Sequence, residues 1–482
     1  MAYNASPHCL PNYPPPVSCN LLTGPIISGI ASFCNVTVSL THPGVGETVY
    51  TTVLLPLSDW THRYLATGGG GFAAGNDRDI TDPVSQGWVA SSTDGGLTLN
   101  HTIDPQTGAY TMWPEGSYNE EMVINLVYRS IHDAAEISKG LISQFYGQKA
   151  SYLYHSGCSA GGRQGYASAS YYPGDFDGIL ADAPALFAPE FAVAGFWPAI
   201  MMRNTEAPPF CVFEAYETAI LESCNPLDGV RDGLISHPDV LSLCVFDTSS
   251  FVGKEIACPQ LGTTKSFIIT STNAEITTKI PEGPIIPEGE RLYHGVAPGV
   301  SFTGFANTTT FANGTSIPVP FRHSEPWINY ETFFETMRLS SLRMASIYGN
   351  DVLNMTTFAA GKGKLLTWHG LADQMIPPLG MVDFREQIEA ELGGSKAVNE
   401  WYQLFFAPGV GHCRGGYGPI PVEPLNALVK WVEKGKAPET LFAASVDETG
   451  YNITRELCLF PKKLVYVGGN VRDASSFECQ YR

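Results

Sequence analysis

The feature that most constrains this chain is the pentapeptide G-C-S-A-G at residues 157–161. Its G-x-S-x-G form is typical of a nucleophile elbow, a sharp turn between a strand and a helix that exposes a serine hydroxyl. Residues 151–155 before it are β-prone, and residues 162–172 after it predict a helix that stops at Pro173. The flanking glycines indicate a turn too tight for a Cβ atom. We therefore predict that Ser159 is a nucleophile, with an ordinary Gly/Ser turn as the alternative.

Two downstream loops offer the partners that a nucleophilic serine requires. The serine needs a base to accept its proton and an acid to orient that base, and in α/β-hydrolases the order is serine, acid, histidine. Asp373 comes just after the apolar run 364–370, and His412 follows the strand-like run 402–407. Such sheets gather their chemistry on loops at the carboxyl ends of strands, so we predict Asp373 as the acid and His412 as the base. Three other histidines are interpreted as structural: His155, His294 and His369.

Cysteines directly adjoin both the predicted nucleophile and the predicted base. Cys158 precedes Ser159, and Cys413 follows His412. If the serine and the histidine are within hydrogen-bond reach, their neighbours meet the Cα separation of about 4.4–6.8 Å that a disulfide needs. We expect a bridge that ties the two loops together. The alternative is that one of these cysteines is a small buried apolar residue.

The pattern Cys158-Ser159, Asp373, His412-Cys413 resembles the CS-D-HC pattern of the tannase and feruloyl esterase family of α/β-hydrolases. The resemblance extends along nearly the whole chain through further blocks: Trp60 to Arg63 with the glycine-rich run 68–72, Gly162 to Gly165, and Phe176 to Gly178. It implies an α/β fold in which an α/β-hydrolase core sheet carries a large inserted lid domain.

The resemblance also implies a role for each residue of the site. Ser159 is then the nucleophile, His412 the general base and acid, and Asp373 the orienting carboxylate. Backbone N–H groups of Ala160 and of one glycine in the polyglycine run, for which we select Gly69, form the oxyanion hole. Each such donor is worth about 3–4 kcal/mol of barrier. Glycines suit this run because its backbone must approach a reacting carbonyl closely; a flexible loop is the alternative.

The chain is organised as a hydrolase domain interrupted by an insertion. Residues 119–147 carry an apolar stripe at helical spacing, which predicts a core helix. From residue 191 to 349 the composition shifts toward proline, glycine, threonine and cysteine, with irregular apolar periodicity. Because the serine precedes this region and the acid follows it, we predict a catalytic domain at 1–190 and 350–482 and an inserted lid domain at 191–349.

The predicted lid contains a second motif, C-N-P-L-D-G-V-R-D-G-L-I at residues 224–235. Carboxylates interspersed with glycines let a short loop wrap oxygens around a hard cation. The loop resembles the family's calcium loop, which implies a structural Ca²⁺ held by Asn225, Asp228, Asp232 and the carbonyls of Val230 and Leu234. The family usually has aspartate at the first position, so Asn225 keeps an oxygen and removes a charge. The alternative is a pair of Asp-Gly turns without metal; no organic cofactor is expected.

The chain has 11 cysteines, a count that favours an oxidising compartment. Family similarity suggests the pairs Cys19–Cys34, Cys224–Cys244 and Cys458–Cys479. A pair between Cys211 and Cys258 within the lid is a further expectation. The odd count leaves Cys9 as a free thiol or bonded to a partner outside this chain.

Composition and sequons are typical of a secreted protein. Seven asparagines lie in N-x-[ST] sequons, which favours surface glycosylation: Asn4, Asn35, Asn100, Asn307, Asn313, Asn354 and Asn452. No signal peptide is visible at the start of the chain, and no stretch is apolar enough to predict a membrane span. The formal charge of −19 without a basic cluster argues against nucleic acid and anionic membranes as partners. The sequence does not indicate an oligomeric state.

The resemblance implies hydrolysis of a small aromatic carboxylic ester through an acyl-enzyme. Feruloyl ester cleavage is the first choice and galloyl ester cleavage is close behind. An apolar pocket discriminates weakly against an added hydroxyl, so the sequence does not decide between the two. Residues 90–96 resemble a family stretch, but Leu97 stands where a histidine is common. Two other classes are kept as alternatives: a binding protein on an inactive hydrolase scaffold, and a biosynthetic hydrolase or acyltransferase acting on a secondary metabolite.

Overall fold

The computed structural model describes residues 17–22, 32–98, 104–111, 119–262, 264–285, 289, 291–324, 347, 355–446, 450 and 452–481. The strands in chain order are β1 Val17–Leu22, β2 Phe33–Leu40, β3 Val49–Pro56, β4 Arg63–Thr67, β5 Val89–Thr93, β6 Tyr152–Cys158, β7 Gly178–Asp182, β8 Glu255–Ala257, β9 Ser266–Ile268, β10 Asn307–Thr310, β11 Ser316–Val319, β12 Lys364–Gly370, β13 Tyr402–Ala407, β14 Ile420–Pro421, β15 Thr440–Val446, β16 Asn452–Cys458, β17 Lys463–Tyr466 and β18 Phe477–Gln480. The α-helices are α1 Thr81–Ser85, α2 Glu120–Ile124, α3 Ser130–Tyr146, α4 Ala160–Tyr171, α5 Ala188–Asn204, α6 Cys211–Cys224, α7 Pro238–Leu243, α8 Ser271–Glu282, α9 Thr356–Ala360, α10 Pro378–Glu391, α11 Gly394–Val398 and α12 Pro424–Lys434.

Nine of the described strands form one mixed sheet in the order β1-β2-β3-β5-β4-β6-β7-β12-β13. The first three strands pair antiparallel, and β3 pairs antiparallel with β5. From β5 to β13 every neighbouring pair is parallel. Parallel strands end at the same edge, so the loops after β6, β12 and β13 lie on one side of the sheet.

Both faces of the parallel half are covered by helices. Ile179 and Ala181 of β7 belong to one apolar cluster, and Leu180 between them belongs to another. Successive side chains of a strand point to opposite faces, so the two clusters lie on opposite sides of the sheet. Helix α4 packs on β6 and β7, and α12 packs on β7 and β12. This layering explains why β12 and β13 are continuous buried runs rather than alternating ones.

The helix predicted at residues 119–147 is confirmed. Helices α2 and α3 run together through a π-helical segment at Asn125–Arg129. Asn119 caps the N-terminus by accepting the backbone N–H of Met122. Gly147 ends the helix with a φ of 68°, a left-handed conformation that glycine adopts at no steric cost.

The segment between β7 and α9 adds no described strand to the nine-stranded sheet. It contains α5 to α8 and two small hairpins, β8–β9 and β10–β11. Apolar residues of this segment, among them Phe213, Phe302 and Phe321, belong to the same buried cluster as Ile179 and Ala181 of β7. Helix α5 spans the predicted boundary at 190–191, while residue 350 lies outside the described residues. The assignment of 191–349 as a lid domain stays a prediction.

Three of the disulfides expected outside the CS-D-HC pattern are present: Cys211–Cys258, Cys224–Cys244 and Cys458–Cys479. The expected pair Cys19–Cys34 is not tested, because Cys19 lies on β1, whose side chains are not described. Cys9 lies outside the described residues. Among the helices of the described chain, none combines the length and the apolar character needed to cross a bilayer.

Candidate active site

Ser159 lies at the turn between β6 and α4. Its φ of 63° and ψ of −121° fall outside the regions that non-glycine residues ordinarily occupy. The turn is held by backbone hydrogen bonds: Ser159 donates to the carbonyl of Asp182 at 3.0 Å and accepts from the N–H of Ala185 at 3.0 Å. A serine held in this conformation between a strand and a helix is what the G-x-S-x-G motif predicts.

Glycines let the elbow pack against the polyglycine turn. A Cβ atom on Gly157 would lie 2.6 Å from the carbonyl carbon of Gly161. A Cβ atom on Gly161 would lie 2.7 Å from the carbonyl oxygen of Gly69. Because both obstacles are backbone atoms, neither can move aside cheaply. The glycines at 157 and 161 are therefore required by this close approach.

Asp373 and His412 pair on the loops after β12 and β13. His412 Nδ1 lies 2.9 Å from Asp373 Oδ2. Asp373 Oδ1 accepts the backbone N–H groups of Met375 and Ile376, each at 2.8 Å. His412 and Ser159 line the same cavity. Both residues are described, and no direct hydrogen bond joins their side chains; in unliganded enzymes this bond commonly tightens only when substrate is present.

His369, interpreted from the sequence as structural, contacts the predicted acid directly. Its Nε2 lies 3.0 Å from Asp373 Oδ2, the oxygen that also faces His412, and 3.2 Å from the carbonyl of Ile376. Two acceptors around Nε2 place the proton on that nitrogen. The four-residue spacing of His369 and Asp373 across the end of β12 was the sequence signal for this contact.

The surroundings of Asp373 keep its carboxylate ionised. Burial raises the pKa of this carboxyl, but the adjacent His412 and the hydrogen bonds from both imidazoles outweigh burial and hold the pKa well below its usual range. A buried carboxylate in this position orients the imidazole and stabilises it when it is protonated.

The cysteines beside the predicted serine and histidine form a disulfide. The Cα atoms of Cys158 and Cys413 are 5.9 Å apart, and the bridge spans 255 residues of sequence. The loop is also held by Gln374, which the sequence analysis did not single out and whose Oε1 accepts the backbone N–H of His412 at 3.1 Å. The His412 loop is therefore fixed by the bridge, by Asp373 and by Gln374.

In the polyglycine turn, the N–H group that was predicted to face the oxyanion is already hydrogen-bonded. The N–H of Gly69 donates to Oε1 of the buried Gln164 at 3.0 Å, so Gly69 is not the oxyanion donor in this geometry. The carbonyl of Gly69 accepts from Gly161, which anchors the turn to the elbow. Ala160, the other predicted donor, lines the cavity together with Gly71. The fully buried Gln164 was not identified from the sequence.

A cavity that is partly open to solvent lies beside Ser159. Its walls are mainly apolar: Phe72, Leu126, Ala185, Ala188, Phe191, Ala192, Phe321, Met375 and Ile376. Besides Ser159 and His412, the polar side chains of the described lining are those of Arg163 and His323. Burial, and next the neighbouring Arg322 and His412, lower the pKa of His323 to about 4. His323 is therefore neutral near pH 7.

The residues of the predicted calcium loop lie together directly after α6. The carbonyls of Val230 and Leu234 converge on the carboxamide of Asn225, and Asp232 Oδ2 accepts from Arg455 Nη2 at 2.7 Å. This donor set fits a divalent cation poorly. When the Asn225 amide is oriented to satisfy its neighbours, its NH₂ group donates to both carbonyls, and Asp232 already faces a guanidinium.

The family model described as tannase and feruloyl esterase matches this chain over residues 34–317 and 305–480. The chain belongs to the tannase and feruloyl esterase family. It is thereby placed among carboxylic ester hydrolases, as the CS-D-HC pattern implies.

Several relatives in the tannase and feruloyl esterase family match this chain over most of its length. A probable feruloyl esterase of Arthroderma benhamiae is 38% identical over 471 residues, which cover 92% of this chain and 85% of the relative. A tannase of Aspergillus oryzae is 26% identical, with 93% and 84% covered. The solved structure of a tannin acyl hydrolase from Aspergillus niger has a TM-score of 0.84, covering 97% of this chain and 90% of that chain at 24% identity. The predicted α/β fold is confirmed.

Proposed function

We propose that this protein is a serine hydrolase that cleaves hydroxycinnamoyl esters, with feruloyl esters as the preferred class. The observation that carries the proposal is the apolar cavity on which Ser159 and His412 both open. A feruloyl group brings a ring, a vinylene link, a methoxy group and one phenolic hydroxyl, whereas a galloyl group brings three hydroxyls. Burying a hydroxyl without a partner costs about 1–3 kcal/mol in proteins, so a lining with few polar side chains favours the feruloyl group.

The chemistry follows from the arrangement of the residues. Ser159 Oγ attacks the ester carbonyl while His412 Nε2 accepts the hydroxyl proton. The backbone N–H groups of Ala160 and Gly71 then stabilise the oxyanion. Protonated His412 gives its proton to the departing alcohol oxygen, which leaves an acyl-enzyme on Ser159. A water molecule attacks the acyl carbon, His412 accepts the water proton, and the proton passes to Ser159 Oγ as the acid is released.

We also propose that the inserted segment covers the site as a lid. Phe191, Ala192, Phe321 and His323 all lie in the segment 191–349, and all four line the cavity. The core contributes the opposite wall, including Phe72 and Ser159. A substrate bound between the two is thus surrounded by both parts of the chain, which supports the predicted division.

Secretion is part of the proposal. Four disulfides lie within the described residues, a number that suits an oxidising compartment. The sequon residues Asn307, Asn313 and Asn452 are exposed and accessible for glycosylation.

The test is a comparison of kcat/KM for methyl ferulate and methyl gallate with the purified protein, with and without an added alcohol acceptor. We expect the larger kcat/KM for methyl ferulate and free acid as the main product. A larger value for methyl gallate would favour the galloyl alternative. Transfer of the acyl group to the alcohol in preference to release would favour the acyltransferase. No turnover of either ester would contradict the proposal.

A further inference from the structure

The loop formed by residues 225–235 has left-handed glycines and a short helical turn at its start. Gly229 and Gly233 have φ values of 92° and 83°. Asp228 accepts two backbone N–H groups, from Val230 at 3.2 Å and from Ser236 at 2.9 Å. Its carboxylate is thus already engaged in holding the loop closed.

Asn225 decides what the loop can bind. When its Oδ1 accepts the N–H of Gly233 at 2.9 Å, its Nδ2 donates to the carbonyls of Val230 at 3.2 Å and Leu234 at 3.3 Å. The opposite orientation of the amide turns the oxygen toward two carbonyl oxygens and the NH₂ toward an N–H, and the oxygen then accepts one hydrogen bond, from the backbone N–H of Asp232 at 3.4 Å. The first orientation is therefore the stable one, and it directs an NH₂ group at the two carbonyls.

Aspartate at this position would behave differently. One carboxylate oxygen can accept the N–H of Gly233 while the other faces the two carbonyls and shares a hard cation with them. Asparagine has a single oxygen, so it serves either Gly233 or a cation. In this chain the amide NH₂ takes the place at which those three oxygens would meet an ion.

Arg455 supplies the positive charge that the loop needs. Its Nη2 donates to Asp232 Oδ2 at 2.7 Å and to the carbonyl of Val471 at 2.8 Å, and its Nη1 donates to the carbonyl of Thr454 at 2.7 Å. Both charged side chains are buried, with Arg455 at 0% and Asp232 at 3% exposure. The guanidinium also lies 3.9 Å from the ring centroid of Phe477. This guanidinium neutralises the Asp232 carboxylate and so weakens, without abolishing, its attraction for a divalent ion.

We infer that this loop folds without a divalent cation, because the Asn225 carboxamide and the Arg455 guanidinium together supply the donors and the charge that calcium would. The inference concerns the fold of the loop and is independent of the proposed esterase activity. It accounts for asparagine at a position where the resembling family usually has aspartate.

The first test is the metal content and thermal stability of the unaltered protein. After dialysis against metal-free buffer, elemental analysis should find far less than one calcium per chain. The thermal midpoint should be the same in EDTA and in millimolar CaCl₂. Stoichiometric calcium that survives dialysis, or a midpoint lowered by EDTA, would overturn the inference.

The second test restores the missing oxygen. Asn225→Asp should acquire calcium binding, seen as a thermal midpoint that rises with CaCl₂ concentration and not with MgCl₂ at equal ionic strength. Ligand that binds only the folded state raises stability in this concentration-dependent way. Asn225→Ala is the matched control, because it also removes the amide but adds no ligand, and its midpoint should not respond to CaCl₂. If the thermal midpoint of Asn225→Asp does not respond to CaCl₂, then Asn225 is not the residue that prevents calcium binding.

Discussion

Removal of the Cys158–Cys413 bridge should affect both stability and catalysis, and the two effects can be estimated separately. The bridge closes 255 residues of chain. The chain-entropy relation assigns about 5.5 kcal/mol to a loop of that size as an upper bound, and measured values commonly lie at about 2–4 kcal/mol. The catalytic effect arises because the bridge holds the residues next to Ser159 and His412. A displacement of about 1 Å between reacting groups can cost roughly 100-fold in rate.

The assay compares Cys158→Ala/Cys413→Ala with Cys458→Ala/Cys479→Ala. The second pair closes only 21 residues, for which the same relation gives about 3.3 kcal/mol, and neither of its cysteines adjoins Ser159 or His412 in the sequence. Both variants should show a lower midpoint of thermal unfolding. Only the first should lose kcat, by about 10- to 100-fold, with the remaining activity measured at a temperature where both variants are folded.

The reasoning is refuted if the folded Cys158→Ala/Cys413→Ala variant has the same kcat as the unaltered protein. That result would mean that the Asp373 and Gln374 contacts alone position His412. An equal loss of kcat in both variants would also refute it, because the effect would then follow from lowered stability and not from the position of the bridge.

Three further outcomes test the site. Ser159→Ala should abolish measurable ester turnover and leave the thermal midpoint near that of the parent; residual turnover close to parental would remove Ser159 from the mechanism. His369→Phe should lower kcat about tenfold or more with little change in KM, because a hydrogen bond to a charged group is worth about 1.5–3 kcal/mol; an unchanged kcat would limit His369 to packing. Burial raises the pKa of Asp182 to about 8, so the folded state keeps a proton that the unfolded chain releases near pH 4, and stability should fall as pH rises between these values. Asp182→Asn should flatten that fall in thermal midpoint, whereas parallel curves for parent and variant would contradict the assignment.

Much of the site could be predicted because its requirements are local. The elbow is visible in the sequence because its serine has a φ of 63° and its flanking glycines leave no room for a Cβ atom, which would lie 2.6–2.7 Å from backbone atoms. The long helix at 119–147 was equally predictable, because a regular apolar stripe and the residues at its ends specify it. Order along the chain indicated Asp373 and His412, since each follows a strand that the parallel sheet brings to the same edge.

The remainder depended on side-chain contacts that only the folded chain reveals. The selection of Gly69 as an oxyanion donor is not supported, because Gln164, 95 residues away, accepts its N–H. His369 was given a structural role because its four-residue spacing from Asp373 indicates proximity but does not by itself show that the carboxylate turns back toward the imidazole. The calcium loop resembles its family locally, but the guanidinium that meets Asp232 comes from 223 residues further along the chain.

The sequence by itself determined the elbow serine, the order of its partners and the cysteines beside them. Residue type and spacing are enough to specify local backbone geometry and order along the chain. Only the tertiary structure decided which N–H groups are already engaged, which imidazoles share one carboxylate, and which cation neutralises a buried aspartate. Hydrogen bonds and ion pairs of that kind depend on atoms that meet only after the sheet and the insertion have packed, and no local pattern records them.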